Sequence, residues 1–325
     1  MRAITMESFG GPDVMALTEL PDPVAGEGEV VIEVAATAVN RADTLQRQGY
    51  YPPPPGVTDV MGLECAGTIV EVGQAVERWQ VGDRVCALLA GGGYASRVAV
   101  PWQQVMPVPS NLDLPAVAAL PEVSATVWSN VWMTARLQPG ETLLVHGGAG
   151  GIGSFAIQLA TALGHRVITT VGSDEKANTA RGLGADLAIN YRTEDFVAAT
   201  KEATDGRGVD VILDNMAGSY LARNLSTLAT GGRLAIIGMQ GGTRAELDMG
   251  KLLVKRAAVM ATSLRPRPVA EKGAICREVE DSIWPLVESG QILPVIDQVM
   301  PLSEVAQAHQ RLEASEHTGK IVLIP

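Results

Sequence analysis

From residue 142 onward, short apolar runs alternate with segments of helical periodicity. Residues 142–147 form an apolar run that ends in glycine. Beyond it Ile152, Phe155, Ala156, Leu159 and Leu163 recur at spacings of three and four, the mark of an amphipathic helix. Gly164 closes that helix, and 166–171 reads as the next buried strand. The same alternation predicts strands at 187–190, 209–215, 233–238 and 257–264, with helices at 193–204 and 220–229. Six apolar strands joined by helical crossovers predict an α/β fold with a doubly wound parallel sheet.

The first ~120 residues follow a different pattern. Short runs at 30–35, 66–72, 84–89 and 96–100 are separated by dense Gly and Pro turn signals, which suggests a compact β-rich barrel. Tyr50-Tyr51-Pro52-Pro53-Pro54-Pro55-Gly56 is a stiff extended loop, either a spacer or a wall presenting two tyrosines. After Arg265-Pro266-Arg267-Pro268 a long helix runs to about Gly290. Strands at 295–300 and 320–324 then flank a helix at 302–315. Strands this late most simply return to the first domain. The expected division is 1–122 with 266–325, and 123–265.

Gly148, Gly150 and Gly153 fit G-x-G-x-x-G between a strand and a helix. Such a turn brings backbone close to a pyrophosphate, and the helix offers it unpaired N–H groups and a positive dipole end. NAD sites carry an acid about 20 residues further on to bind the ribose hydroxyl. Here that strand end reads Thr170-Val171-Gly172-Ser173, with Lys176 one turn into the next helix. A hydroxyl, a backbone N–H and an ammonium suit a 2′-phosphate, so NADPH is favoured. Asp174 and Glu175 oppose it in charge but suit a helix N-terminus. Tyr191 and Arg192 end the third strand and can flank the adenosine. Ligands of such sheets bind beyond the carboxyl ends of the strands. That rule selects Asn215 and Met216, Gly238 and Met239, and Thr262 and Ser263.

The chain has 325 residues, 46 % hydrophobic and 19 % charged, with a formal net charge of −11. That length suits two domains, and the charge argues against nucleic acid or an anionic membrane as partner. No apolar run is long enough for a bilayer, and the N-terminus does not read as a signal peptide. Three scattered cysteines (Cys65, Cys86, Cys276) point to a reducing, cytoplasmic setting. The four histidines show no metal-ligand spacing, and His146 at a strand end reads as a packing residue. No tyrosine is followed four residues on by lysine, which disfavours the short-chain dehydrogenases.

The layout and motifs resemble the medium-chain dehydrogenase/reductase superfamily. Within it the chain is similar to the zinc-free quinone oxidoreductases related to zeta-crystallin, and to their stress-inducible NADPH-dependent subgroup. The resemblance rests on Asn40 to Gly49 (NRADTLQRQG), Gly62-Leu63-Glu64-Cys65-Ala66-Gly67, Gly82-Asp83-Arg84-Val85, Gly91 to Ala95, the glycine turn and Thr318-Gly319-Lys320-Ile321-Val322-Leu323. It implies a GroES-like barrel beside a Rossmann domain. Zinc-dependent relatives carry cysteine at Asn40 and histidine at Leu63, so the resemblance implies no zinc. It also implies that Ala149, Gly150, Gly151, Ile152 and Gly153 hold the pyrophosphate. Gly172, Ser173, Lys176 and Tyr191 then take the 2′-phosphate side, with Asn215, Gly238, Met239, Ser263 and Lys320 along the cofactor. Asn40 and Thr126 are expected near the nicotinamide, and Tyr50 or Tyr51 at the acceptor. Glu64 is expected to pair with Arg41 or Arg47, or to act in catalysis.

The expected reaction is hydride transfer from NADPH to a quinone or similar conjugated carbonyl. Charge on the acceptor oxygen is met by the Asn40 amide, a tyrosine hydroxyl, backbone N–H groups or water. Reduction of an enal or enoyl-thioester double bond is the enzymatic alternative, and a low-turnover NADPH-binding regulator is the other. A homodimer is expected through strand 257–264 at the sheet edge.

Overall fold

The computed structural model describes all 325 residues. The strands in chain order are β1 (Arg2–Met6), β2 (Met15–Glu19), β3 (Glu29–Ala38), β4 (Glu64–Val72), β5 (Arg84–Leu88), β6 (Arg97–Pro101), β7 (Val105–Pro107), β8 (Thr142–His146), β9 (Arg166–Val171), β10 (Leu187–Asn190), β11 (Val209–Asp214), β12 (Leu228–Ile236), β13 (Ala258–Ala261), β14 (Ile296–Pro301) and β15 (Lys320–Ile324). The helices are α1 (Arg41–Arg47), α2 (Leu114–Val117), α3 (Pro121–Trp128), α4 (Gly151–Ala162), α5 (Asp174–Gly182), α6 (Phe196–Ala203), α7 (Leu221–Thr227), α8 (Met249–Lys255), α9 (Val269–Ser282), α10 (Trp284–Glu288) and α11 (Val305–Glu313). The chain divides into two units. One is Met1–Ala125, Leu264–Ser289 and Pro294–Pro325; the other is Thr126–Ser263 with Gly290–Leu293.

The second unit carries a parallel sheet in the order β10-β9-β8-β11-β12-β13. Starting from β8, this is the strand order of a doubly wound dinucleotide-binding sheet, with its switch point between β8 and β11. Every residue of β8 and β11 is buried, as expected of central parallel strands covered on both faces. Leu144, Ile168, Ile189, Ile212 and Leu234 form the core on one side with Phe196, Leu225 and Leu228. The first unit carries a seven-stranded sheet in the order β14-β15-β3-β4-β5-β7, with β6 also paired to β3. The late strands β14 and β15 therefore do return to the sheet built from the first hundred residues. Val322 and Leu323 lie opposite Ala38 and Thr37.

Four local expectations change. Strand β12 begins at Leu228, where the sequence predicted helix to 229, and its pairing with β11 shifts register before Val211. The edge strand predicted over 257–264 is ordered as strand only through Ala258–Ala261. The long helix predicted to Gly290 is two helices, α9 and α10, broken at Ile283 with Pro285 in the first turn of the second. Finally, α1 occupies residues left unassigned, and a turn of wide π-type helix at Ser129–Thr134 extends α3.

Candidate functional site

The glycine turn joins β8 to α4. Its left-handed residue is Gly147 (φ +78°), one position earlier than the G-x-G-x-x-G spacing assigns. A Cβ on Gly148 would lie 2.2 Å from Thr169 Oγ1, and one on Gly153 2.2 Å from the Gly147 carbonyl. These two glycines let the turn approach β9 and let α4 pack onto its own entry strand. Gly150 differs: it is extended (φ −79°), and the nearest atom to its Cβ position is 3.5 Å away. Nothing in the protein requires glycine there: that one atom, the Gly147 carbonyl oxygen, is at ordinary contact distance. Gly150 offers no side-chain cap, and the N–H groups of Gly151, Ile152 and Gly153 open the helix. Ala149 is buried in the turn.

Gly172, Ser173, Lys176 and Tyr191 come together where β9, α5 and β10 meet. The Ser173 hydroxyl caps α5 by accepting from the Lys176 N–H at 3.2 Å. The Tyr191 hydroxyl lies 2.8 Å from the Cβ position of Gly172, so the phenol rests across the glycine. Asp174 sits in the first turn of α5 and accepts from Asn190 Nδ2 at 2.8 Å. Its carboxylate thus serves the helix start and the β10 end.

Two further strand ends converge on the glycine turn. Asn215 follows β11, and its Nδ2 lies 3.0 Å from the Cβ position of Gly147. Its Oδ1 is buried without a hydrogen-bond partner. A Cβ on Gly238 would meet the Asn215 carbonyl at 2.9 Å, and Met239 beside it is exposed. Ser263 is exposed two residues beyond β13. Thr126 is buried on α3, its carbonyl accepting from Asn130 Nδ2 at 2.8 Å. His146 is a packing residue: it bonds Thr170 Oγ1 at 3.0 Å and Asn224 Oδ1 at 2.8 Å, with its ring edge-on to Phe196 and Tyr220. Burial lowers its pKa and keeps it neutral.

In the first unit, Asn40, Glu64 and Lys320 form one buried cluster. Lys320 Nζ donates to Asn40 Oδ1 (2.6 Å), Glu64 Oε1 (2.7 Å) and the Val39 carbonyl (3.1 Å). Asn40 Nδ2 donates to Glu64 Oε1 (2.9 Å) and the Ala38 carbonyl (3.3 Å). Glu64 Oε2 accepts from the Glu122 N–H at the start of α3. Glu64 is therefore paired with Lys320, not with Arg41 or Arg47. Arg47 instead donates to Glu313 (2.6 Å), the Gly10 carbonyl and His309. Lys320, expected along the cofactor, has its three protons on these three oxygens.

A second network adjoins the first through Asp43, which the sequence reading passed over. Its carboxylate accepts from the N–H groups of Asn40 and Gly62 and from the Tyr94 hydroxyl. Burial outweighs those bonds and raises its pKa to about 6. The two tyrosines part company: Tyr50 is 79 % exposed, whereas Tyr51 is half-buried under the guanidinium of Arg265. The three thiols are buried and free, and burial pushes each of them up, Cys276 to about 12. No three His, Cys, Asp or Glu side chains stand together in a metal-ligating arrangement.

Comparison with known proteins agrees with this layout. Residues 26–110 match the family described as alcohol dehydrogenase GroES-like domain, and residues 151–275 match that described as zinc-binding dehydrogenase. Over its whole length the chain is 32 % identical to the quinone oxidoreductase of Rattus norvegicus, covering 98 % of that protein. It is 33 % identical to a 2-haloacrylate reductase from Burkholderia sp, over 99 % of this chain and 98 % of the other. The crystal structure of Escherichia coli quinone oxidoreductase complexed with NADPH superposes with a TM-score of 0.90 at 31 % identity, covering all of both chains.

Proposed function

The chain belongs to the medium-chain dehydrogenase/reductase superfamily, and on that premise we propose that it is an NADPH-dependent, zinc-independent reductase of quinones and similar conjugated carbonyls. The observation that carries this reading is the glycine turn. Its uncapped helix start, a Gly150 that no protein atom crowds closer than 3.5 Å and the orphaned Asn215 Oδ1 lie at adjoining carboxyl ends of β8 and β11. They fit the pyrophosphate and the nicotinamide half of a dinucleotide. The N–H groups of Gly151, Ile152 and Gly153 would hold the pyrophosphate. Ser173, Lys176 and Tyr191 around Gly172 would take the 2′-phosphate, with Asn215, Gly238, Met239 and Ser263 toward the nicotinamide. Bound NADPH supplies the hydride.

Asn40 and Thr126 are proposed to border the nicotinamide. Both amide protons of Asn40 are committed to Glu64 and Ala38, so its side chain is a fixed wall, not an oxyanion donor. Charge on the acceptor oxygen is then left to the Tyr51 hydroxyl, backbone N–H groups and water. Each preorganised donor lowers such a barrier by about 3 kcal/mol. An electron-poor quinone needs little acid assistance, which suits a site without a dedicated acid. Zinc independence is supported by the Lys320 ammonium, which already neutralises Glu64 beside Asn40. The chain is further proposed to pair with a second copy through the open edge of β13.

A second reading, reduction of an activated carbon–carbon double bond, draws support from the likeness to a 2-haloacrylate reductase. The deciding experiment compares NADPH oxidation with 1,4-benzoquinone, an alkenal, a 2-haloacrylate and an enoyl thioester, alongside metal analysis. Fastest turnover with the quinone is expected. A clear preference for a double-bond acceptor favours the second reading. Tight NADPH binding with no oxidation by any acceptor favours a regulatory protein, and one zinc per chain overturns zinc independence.

A further inference from the structure

Arg265 is 5 % exposed, yet its charged end is directed at no salt bridge. Its Nε donates to the Ala90 carbonyl at 2.6 Å, its Nη1 to the Tyr51 carbonyl at 3.2 Å, and its Nη2 to Gln46 Oε1 at 2.9 Å. Its Cζ stands 5.3 Å from the centre of the Tyr51 ring, within range of a cation–π contact. Gln46 in turn donates its Nε2 to the Asp59 carbonyl at 2.9 Å. Both ends of the proline-rich loop therefore converge on one guanidinium: Tyr51 directly, and Asp59 through Gln46. The loop has four consecutive prolines, whose missing N–H groups leave few bonds of its own to fix it.

A planar fork with donors in several directions can tie three segments at once, which a lysine ammonium at the same place does less well. Tyr50, the next residue along, has no such anchor and is largely exposed. The burial of an arginine on neutral oxygens is costly unless its nitrogens are bonded, and here each of the three donates a hydrogen bond. This is a built arrangement, centred on the one tyrosine of the pair that is held in place.

We propose that Arg265 is a positioning residue that sets the place of Tyr51, and through Tyr51 the size of acceptor the enzyme takes. The proposal rests on the reductase reading above and deepens it. It assigns specificity to a residue on the segment just past β13, two positions after Ser263, that itself touches no acceptor. Tyr51 supplies a flat ring against which an aromatic acceptor can stack. If Arg265 releases the loop, a bulky acceptor loses that surface while a small one loses little.

The test uses the full-length chain and the variants R265K, Q46A and Y51L. KM and kcat are measured with 1,4-benzoquinone and with 9,10-phenanthrenequinone, and NADPH affinity by tryptophan fluorescence. We expect the KM ratio of the bulky to the small acceptor to rise about tenfold in R265K and Y51L and about threefold in Q46A, with NADPH affinity unchanged. An unchanged ratio in R265K and Q46A overturns the proposal, as does a rise that simply follows weakened NADPH binding. Should R265K fail to fold, Q46A decides alone. Should the wild type oxidise NADPH with neither quinone, the reductase reading fails separately, and chymotrypsin cleavage after Tyr50 becomes the readout. Faster cleavage in R265K or Q46A than in wild type then supports the positioning role, and equal rates overturn it.

Discussion

Arg47, His309, Tyr94 and Asp43 form a buried line of hydrogen bonds whose directions can be assigned. Arg47 can only donate, so His309 Nδ1 accepts from it. The neutral imidazole then donates from Nε2 to the Tyr94 oxygen, and Tyr94 donates to Asp43. Burial, aided by the Arg47 charge, drops the His309 pKa from 6.5 to about 3. An unfolded chain therefore takes up a proton between those values that the native state refuses, and stability falls on acidification. Asp43 does the reverse. Raised from 3.8 to about 6, it holds a proton in the native state that the unfolded chain has lost, so its contribution rises as pH falls from 6 toward 4. The two effects oppose each other between about pH 4 and 6. Replacing His309 by glutamine should remove one side of the balance. The unfolding free energy of H309Q relative to wild type should then climb by about 1.4 kcal/mol per pH unit lowered from 6 to 4, in urea denaturation. Parallel pH profiles for the two proteins would refute this assignment.

The glycine turn separates two reasons for having glycine. At Gly153 a methyl group collides with the Gly147 carbonyl, so G153A should lose about 1–3 kcal/mol of stability. At Gly150 a methyl makes only one ordinary contact, 3.5 Å from the Gly147 carbonyl, and the backbone angle is ordinary. G150A should therefore keep the wild-type melting temperature while weakening NADPH binding, if phosphate approaches the backbone there. Melting curves and fluorescence titration of the two variants read this out; equal loss of stability in both would mean that Gly150 is structural. The sequence made this turn legible because the glycine spacing and the helical period are local. Legible too was the meeting of Gly172, Ser173, Lys176 and Tyr191, since strand order alone places the β9 and β10 ends side by side. What stayed hidden was long-range or pattern-free. Nothing in the sequence ties Lys320 to Glu64, and Arg265 bonds backbone and amide oxygens, which leave no motif. Tyr50 and Tyr51 are identical neighbours, told apart only by which one the fold covers.

At the scale of the whole molecule, the parallel sheet ends in an open edge at β13. Leu253 and Val254 on α8 are 77 % and 76 % exposed, and Met249 is exposed with them. An open strand edge together with exposed apolar side chains on one unit is suited to a two-fold copy of itself. Sizing chromatography with light scattering should give twice the mass of one chain, and the double variant L253D/V254D should shift it toward the monomer. A wild-type protein that runs as a monomer at all concentrations would sink the proposal. No helix is long and apolar enough to cross a membrane.

The pairing of Lys320 with Glu64 spans 256 positions of the chain. During synthesis the carboxylate is made 256 residues before its counter-ion, with the entire parallel-sheet unit translated in between. The first unit can neither pair Glu64 with Lys320 nor set β15 beside β3 until the inserted unit has emerged. All six strands of the inserted sheet thus precede β14 and β15 in the chain, so that sheet can be complete while the host sheet still lacks two strands.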